Sequence, residues 1–264
     1  MHPWLNIALN AAKTAGDVLL RNMEHLDRVV ITMKEGSDCF SDVDVKAEQA
    51  IIQILHKAFP DHSILAEESG LHGQHEDIIW YVDALDGTKN YLHGYPLFSV
   101  SIAVKVKQRI EHAVVFDPLR QEFFTASRGQ GARLNQRRIR VSKQKSLLAA
   151  MVSMGLPSHA DPLASTYQHL YSHFIEHDVS LRRSGSAALD LAYLAAGRID
   201  GFVDTQLRPW DIAAGSLLIS EAGGLIGDLQ GHEQHLVTGN MVAGTPKIFK
   251  HLIQTCHQVS DITK

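Results

Sequence analysis

Trp80-Tyr81-Val82-Asp83-Ala84-Leu85-Asp86-Gly87-Thr88-Lys89-Asn90 is the stretch on which both fold and chemistry turn. The apolar run at residues 78–82 reads as a buried strand that delivers Asp83. Two carboxylates this close repel, and neither ionises cheaply unless a cation lies between them. Oxygen ligands select a hard cation. Magnesium fits, because it takes one or two carboxylates and keeps waters that a substrate can displace. Gly87 lets the backbone approach a ligand, and a helix starting at Thr88 would turn its first N–H groups toward a phosphate. Taken alone, the stretch also reads as a tight Asp-Gly turn carrying surface acids.

Working outward, residues 63–66 read as a short strand followed by Glu67-Glu68-Ser69-Gly70. Residues 44–59 form an amphipathic helix with Ala47, Ile51 and Leu55 inward, ended by Pro60. Residues 3–23 form another, with Ala8, Ala11, Ala15 and Leu19 on one face. Downstream, strands at 98–106, 112–116, 122–126 and 137–141 alternate with turn signals and predict an antiparallel meander. From residue 147 the pattern becomes alternation: strands at 149–154, 179–182 and 201–204, helices at 167–177, 186–196, 211–222 and 247–257. The expectation is a layered structure, α+β over residues 1–145 and α/β over residues 146–264. Asp211, in Arg208-Pro209-Trp210-Asp211-Ile212-Ala213-Ala214-Gly215, opens an otherwise apolar helix; by itself it reads as an N-cap, as does Asp44.

The bulk properties narrow the function. With 264 residues, 45% of them hydrophobic, the chain can bury a full core. A net charge of −4 gives no global pull toward nucleic acid or anionic membrane. Residues 105–145, however, carry eleven Lys or Arg against three acids. That excess reads first as a solvated strand surface and second as a docking face for an acidic partner or RNA. Two cysteines, Cys39 and Cys256, cannot build a thiolate zinc site and suit a reducing cytoplasm. The first 23 residues lack the basic n-region of a signal peptide, and the longest uncharged stretch is too short to span a bilayer, so no membrane association is expected.

Glu-Glu-Ser at 67–69, Asp-x-Leu-Asp-Gly-Thr at 83–88 and Trp-Asp-x-Ala-Ala-Gly at 210–215, in this order and spacing, resemble the inositol monophosphatase family. The nearest resemblance is to its bacterial branch, the one also linked to ribosomal-RNA antitermination. It extends to Arg183-Ser184-Gly185-Ser186-Ala187 and to Gly197-Arg198-Ile199-Asp200-Gly201, and covers nearly the whole chain. The resemblance implies an αβαβα sandwich of the inositol monophosphatase/fructose-bisphosphatase type, a homodimer, and Mg2+-dependent hydrolysis of a small phosphate monoester. It assigns Glu67, Asp83 and the Leu85 carbonyl to one ion and Asp83, Asp86 and Asp211 to a second, with a third, weaker ion near Glu67. Asp44 with Thr88 would position the attacking water. Gly87 and Thr88 would cradle the phosphate, and Gly185 and Ala187 would line the sugar-ring pocket. Two departures stand out: Lys89 replaces a usual threonine, and Asp204 stands where bacterial relatives often carry a glutamate that contacts a substrate hydroxyl. The same branch implies a contact with transcription machinery or RNA, for which residues 105–145 and Arg182-Arg183 are the candidates.

Other signals carry less. His169, His173 and His177 fall at i, i+4 and i+8, a spacing that can bind zinc or nickel, but a polar exposed helix face is the preferred reading. Ala84 stands where an aspartyl-phosphate nucleophile would be needed, so a covalent route is not expected. There is no G-x-S-x-G elbow and no Walker A sequence. Residues 34–38, with Gly and Ser, are expected to form a mobile loop; whether it closes over the site is not readable from sequence.

Overall fold

The computed structural model describes residues 2–33, 39–156 and 163–262; the loop expected at 34–38 lies outside the described residues. The chain opens with α1 (Pro3–Met23), the hairpin β1 (Ile31–Met33) and β2 (Cys39–Ser41), and α2 (Asp42–Ala58). Then come β3 (Ser63–Ala66), β4 (Gly70–His72), β5 (Ile78–Asp86) and the short α3 (Thr88–Leu92). The meander is β6 (Ser99–Val106), β7 (Arg109–Asp117), β8 (Glu122–Ser127), β9 (Ala132–Leu134) and β10 (Arg137–Arg138). The remainder alternates: β11 (Met151–Met154), α4 (Ala164–Glu176), β12 (Ser180–Arg182), α5 (Ala187–Ala195), β13 (Gly201–Asp204), α6 (Pro209–Glu221), β14 (Leu225–Gly227), α7 (His235–Thr238), β15 (Met241–Gly244) and α8 (Pro246–Ile262).

Two sheets result. The larger runs β10-β9-β8-β7-β6-β5-β3-β4 and is antiparallel except for the β3–β5 pair. The smaller runs β12-β11-β13-β15-β14, parallel on one side and antiparallel on the other. Side chains alternate across a strand, so each sheet has two faces to cover. Trp80, Val82 and Ala84 of β5 enter the core beneath α1 and α2, while Tyr81 faces the opposite way, into the core shared with α5 and α6. Phe202 and Ala243 close that shared core from the small sheet. Val203 and Val242 point outward from the same sheet, against Leu170 and Phe174 of α4 and Leu252 of α8. The order of layers is therefore α1/α2, large sheet, α5/α6, small sheet, α4/α8, the expected αβαβα sandwich. Each fully buried Leu, Ile or Phe favours this arrangement by about 1.5–3 kcal/mol over exposure. The core thus fixes the layer order, and end-capping contacts of about 1 kcal/mol each fix where helices begin.

Those caps correct two readings. Ser41, not Asp44, is the N-cap of α2: its hydroxyl accepts from the amides of Val43 (3.2 Å) and Asp44 (3.4 Å). Asp44 stands at the third helical position and returns its carboxylate to the Ser41 amide (2.8 Å). Likewise Arg208 is the N-cap of α6 and Asp211 its third residue, with Oδ2 accepting from the Arg208 amide at 2.7 Å. In α2 the acid completes a capping box, in α6 it supplies only the acid half of one, and in both it keeps a second oxygen for other use.

Candidate metal centre and its cavity

The large sheet presents Asp83 and Asp86 together because β5 is irregular. Three residues apart, two side chains of a regular strand lie on opposite faces. Here Asp83 pairs with Ser101 and Asp86 with Ser99, so three steps on β5 match two on β6. This bulge inserts one residue and turns Asp86 to the same face as Asp83, the face toward α5 and α6. Gly87 then leaves the strand with φ 96°, where a Cβ would lie 3.0 Å from the Leu97 carbonyl oxygen; glycine is what allows the chain to turn there into α3.

Asp86 is 9% exposed and crosses the layer to the start of α5. Its Oδ2 accepts from the Ser186 hydroxyl (2.5 Å) and the Ala188 amide (2.8 Å), and its Oδ1 from the Ala187 amide (3.2 Å). It therefore caps α5, 100–102 residues further along the chain, a tertiary use of the helix N-terminus that favours negative charge. Burial still wins over those donors, and with Asp190 nearby the Asp86 carboxyl is pushed up to about 6. Asp83 is 1% exposed. Burial, then the charges of Glu67, Asp86 and Asp211, hold its carboxyl well above the usual carboxylate range. Asp211 is raised well above that range too, first by burial and, against the Arg208 amide, by Asp86, Glu67 and Asp204. These acids oppose one another's ionisation, and a cation among them removes the conflict. Among the described residues, no three of Glu67, Asp83, Asp86 and Asp211 bring ligand atoms all within 4.8 Å of one another. An all-oxygen, acidic donor set of this kind fits a hard divalent cation.

A cavity of about 560 Å³ gathers the residues expected from sequence. Glu67, Asp83, Leu85, Asp86, Gly87 and Thr88 line one side. Gly185, Ala187, Asp204 and Asp211 line it from the other half of the chain. Lys89 also borders it, although largely exposed to solvent. Asp44 does not reach the cavity. It lies behind Thr88, 2% exposed, with Oδ1 accepting from the Thr88 hydroxyl at 3.0 Å; that hydroxyl also lies 3.1 Å from the Leu85 carbonyl. Burial raises the Asp44 carboxyl against the lowering effect of Ser41 and Thr88. Asp204 accepts from the Tyr167 hydroxyl (3.0 Å) and the Thr205 amide (2.8 Å), and burial pushes it to about 6.

Several residues of the site have roles there that the sequence reading did not assign. Ser186 supplies the shortest donor to Asp86. Asp190 accepts from Ser153 (2.6 Å) and Ser184 (2.8 Å) and so fixes the loop that carries Ser186. Glu48, 2% exposed, accepts from the amides of Glu68 (2.8 Å) and Ser69 (3.0 Å) and holds the turn that presents Glu67. Arg183 borders the cavity beside Asp204 and Gly155. One signal was available: Asp44 and Glu48 interrupt the inward stripe of α2 at Ala47, Ile51 and Leu55, and a charge on an apolar stripe demands a partner.

Comparison with known proteins agrees with this geometry. The chain matches the inositol monophosphatase family over residues 1–261. It is 46% identical over 266 residues, covering 100% of both chains, to Nus factor SuhB of Escherichia coli K12. The crystal structure of extragenic suppressor protein suhB from Bartonella henselae superposes with a TM-score of 0.93 at 39% identity, covering 97% of this chain and 98% of that one. The inositol monophosphatase from Anabaena sp. PCC 7120 gives a TM-score of 0.85 at 35% identity, covering 97% and 95%. From its first helix to its last, the chain belongs to the inositol monophosphatase family.

Proposed function

We propose that the chain is a Mg2+-dependent phosphatase of small polyol phosphate monoesters, with myo-inositol 1-phosphate as the first candidate substrate. The observation that carries this reading is the β5 bulge, which turns two buried acids, Asp83 and Asp86, to one face and opposite Asp211. Glu67, Asp83 and the Leu85 carbonyl would hold one ion, Asp83, Asp86 and Asp211 a second, and a third, weaker ion would sit near Glu67. Cations held there would supply an acidified water and neutralisation of phosphate charge. The chain's own groups do the rest. Thr88 Oγ can take a proton from the attacking water while its own proton passes to Asp44 Oδ1, 3.0 Å away. Asp44 is suited to that task because burial raises its carboxyl toward neutral pH. The amides at Gly87 and Thr88, together with Lys89, meet the phosphate, and Gly185, Ala187 and Asp204 flank the polyol. The reading includes a cytoplasmic homodimer.

The test is phosphate release from inositol 1-phosphate, fructose 1,6-bisphosphate, histidinol phosphate and adenosine 3′,5′-bisphosphate, with Mg2+ and with chelator. Chelator-sensitive turnover strongest on the first supports the reading in full; strongest on another keeps the chemistry and changes the leaving group. No turnover on any of them sinks it.

A second reading has its own support. A relative 46% identical over the full length is named as a Nus factor, and Arg133, Arg137, Arg138 and Arg140 are exposed on and beside the β9–β10 edge. In that reading the protein also contacts transcription machinery or RNA. Asp86→Asn separates the two: complementation of a deletion by a variant with no phosphatase activity favours the binding role, and failure favours catalysis.

A further inference from the structure

On the far side of the small sheet, α4 ends in His173, Glu176 and His177, whose ligand atoms all lie within 4.8 Å of one another. They border a second cavity, about 470 Å³, between α4 and α8. Its lining, among the described residues, includes Glu176 and Asp178 and no lysine or arginine. We propose that His173, Glu176 and His177 form a separate metal site for a borderline divalent transition cation, Zn2+ or Ni2+ in chemistry, distinct from the acid wall of the first cavity.

The hydrogen bonds orient both imidazoles for the task. His177 Nδ1 lies 2.8 Å from the His173 carbonyl oxygen, which can only accept, so Nδ1 carries the proton and Nε2 keeps its lone pair. The Thr255 hydroxyl donates to the His251 carbonyl (3.0 Å), so at 3.3 Å its oxygen accepts from His173 Nε2–H, leaving the lone pair of His173 on Nδ1. A ring fixed through its second nitrogen is the usual arrangement of a metal-ligating histidine. The two rings stack with centroids 4.1 Å apart. The cluster also lies at the C-terminal end of a 13-residue helix, where unpaired carbonyls favour a cation. Two imidazoles and one carboxylate are a poor set for Mg2+ and a good one for zinc or nickel. His251 borders the same cavity from α8. His169 bonds its own helix at Ser165 and takes no part, so the working spacing is i, i+3, i+4 rather than the i, i+4, i+8 seen in sequence.

The test is calorimetric titration of the full chain with Zn2+ in saturating Mg2+, which keeps the acid wall filled. One Zn2+ per chain should bind to the wild type. His177→Gln, at an exposed position, should weaken that binding at least about tenfold. Glu176→Gln should weaken it too, while His56→Gln, a surface histidine on α2, should leave it unchanged. A Zn2+-induced rise in Tm should follow the same ranking. Circular dichroism checks that each variant is folded. Binding that is equal in wild type, His177→Gln and Glu176→Gln, or absent from the wild type, overturns the proposal.

Discussion

The acidic wall of the first cavity comes largely from one run, residues 83–89, with Glu67 beside it and Asp211 added from α6, whereas the opposite wall is gathered from residues 153–156, 183–190 and 202–207. The first wall concentrates like charge and relies on an added cation; burial and neighbours raise Asp83, Asp86 and Asp211. The second holds its acids with protein donors, the Tyr167 hydroxyl and Thr205 amide on Asp204 and two serine hydroxyls on Asp190, although burial still raises both carboxyls. Under the proposed function the contrast separates roles: the wall whose acids oppose one another would take the metal, and the wall whose acids are held by protein donors would take the substrate. The largest expected effect tests the first half of that statement. Asp83→Asn should lower kcat/KM for phosphate release by about 10³-fold, the scale of losing a site's main electrostatic element. The same variant should melt higher than wild type in chelator, because one member of a repelling set is gone. Activity within tenfold of wild type would show that the acidic wall is not where the cation works.

A pH series sharpens the contrast. Asp86 and Asp204 both stand at about 6 against an ordinary 3.8. A carboxyl raised on folding stabilises the native state below about pH 3.8 and loses that contribution as pH climbs to 6. At pH 7 a shift of this size costs about 3 kcal/mol for each group. Asp86→Asn and Asp204→Asn should therefore each stabilise the chelated protein at pH 7 and not at pH 4. Saturating Mg2+ should erase the gain for Asp86→Asn and leave it for Asp204→Asn. The same response to Mg2+ in both variants would break the division into two walls.

A smaller effect is expected at Gly155, where a Cβ would lie 1.8 Å from Asp204 Oδ1. Gly155→Ala has to push Asp204 out of place. The KM for the polyol phosphate should rise about tenfold with a lesser change in kcat. A fall in kcat at constant KM would instead assign this wall to the chemistry.

The contrast between the walls also explains what could be seen in sequence. Asp83, Asp86, Gly87 and Thr88 are adjacent, so their pattern survives without the fold. Ser186 and Asp190 lie in or just after the stretch that carries the resemblance, yet their partners Asp86 and Ser153 are reached only through the fold. Strand ends failed in the same way. The run at 78–82 continues to Asp86 because the acids are strand residues whose polarity hides the period. The strand expected at 137–141 shrinks to two residues. It is one arm of a hairpin from β9, turned by Asn135 and Gln136 with φ of 44° and 70° and no glycine to announce them. β15, paired on both sides within the small sheet, is four short residues before Thr245 and was missed. The helices, long and periodic, shifted by a few residues at most at their starts; for α2 and α6 the capping contacts, which periodicity does not show, set the start.

The smallest effect concerns Ser41, remote from both walls and linked to the first through Asp44 and Thr88. Ser41→Ala removes an N-cap and should cost about 1 kcal/mol in stability. It also removes a hydroxyl donor to Asp44 Oδ2, and Ser41 is among the groups that lower the Asp44 carboxyl. Without it the carboxyl rises further, because burial is then less opposed. If Asp44 receives the proton through Thr88, it must be ionised at the start of turnover. The acidic limb of kcat/KM should then move to higher pH in Ser41→Ala while the alkaline plateau is kept. A purely structural role predicts a lower plateau with an unmoved limb. The two outcomes decide whether the capping box of α2 only starts a helix or also sets the basicity of the group behind the reacting water.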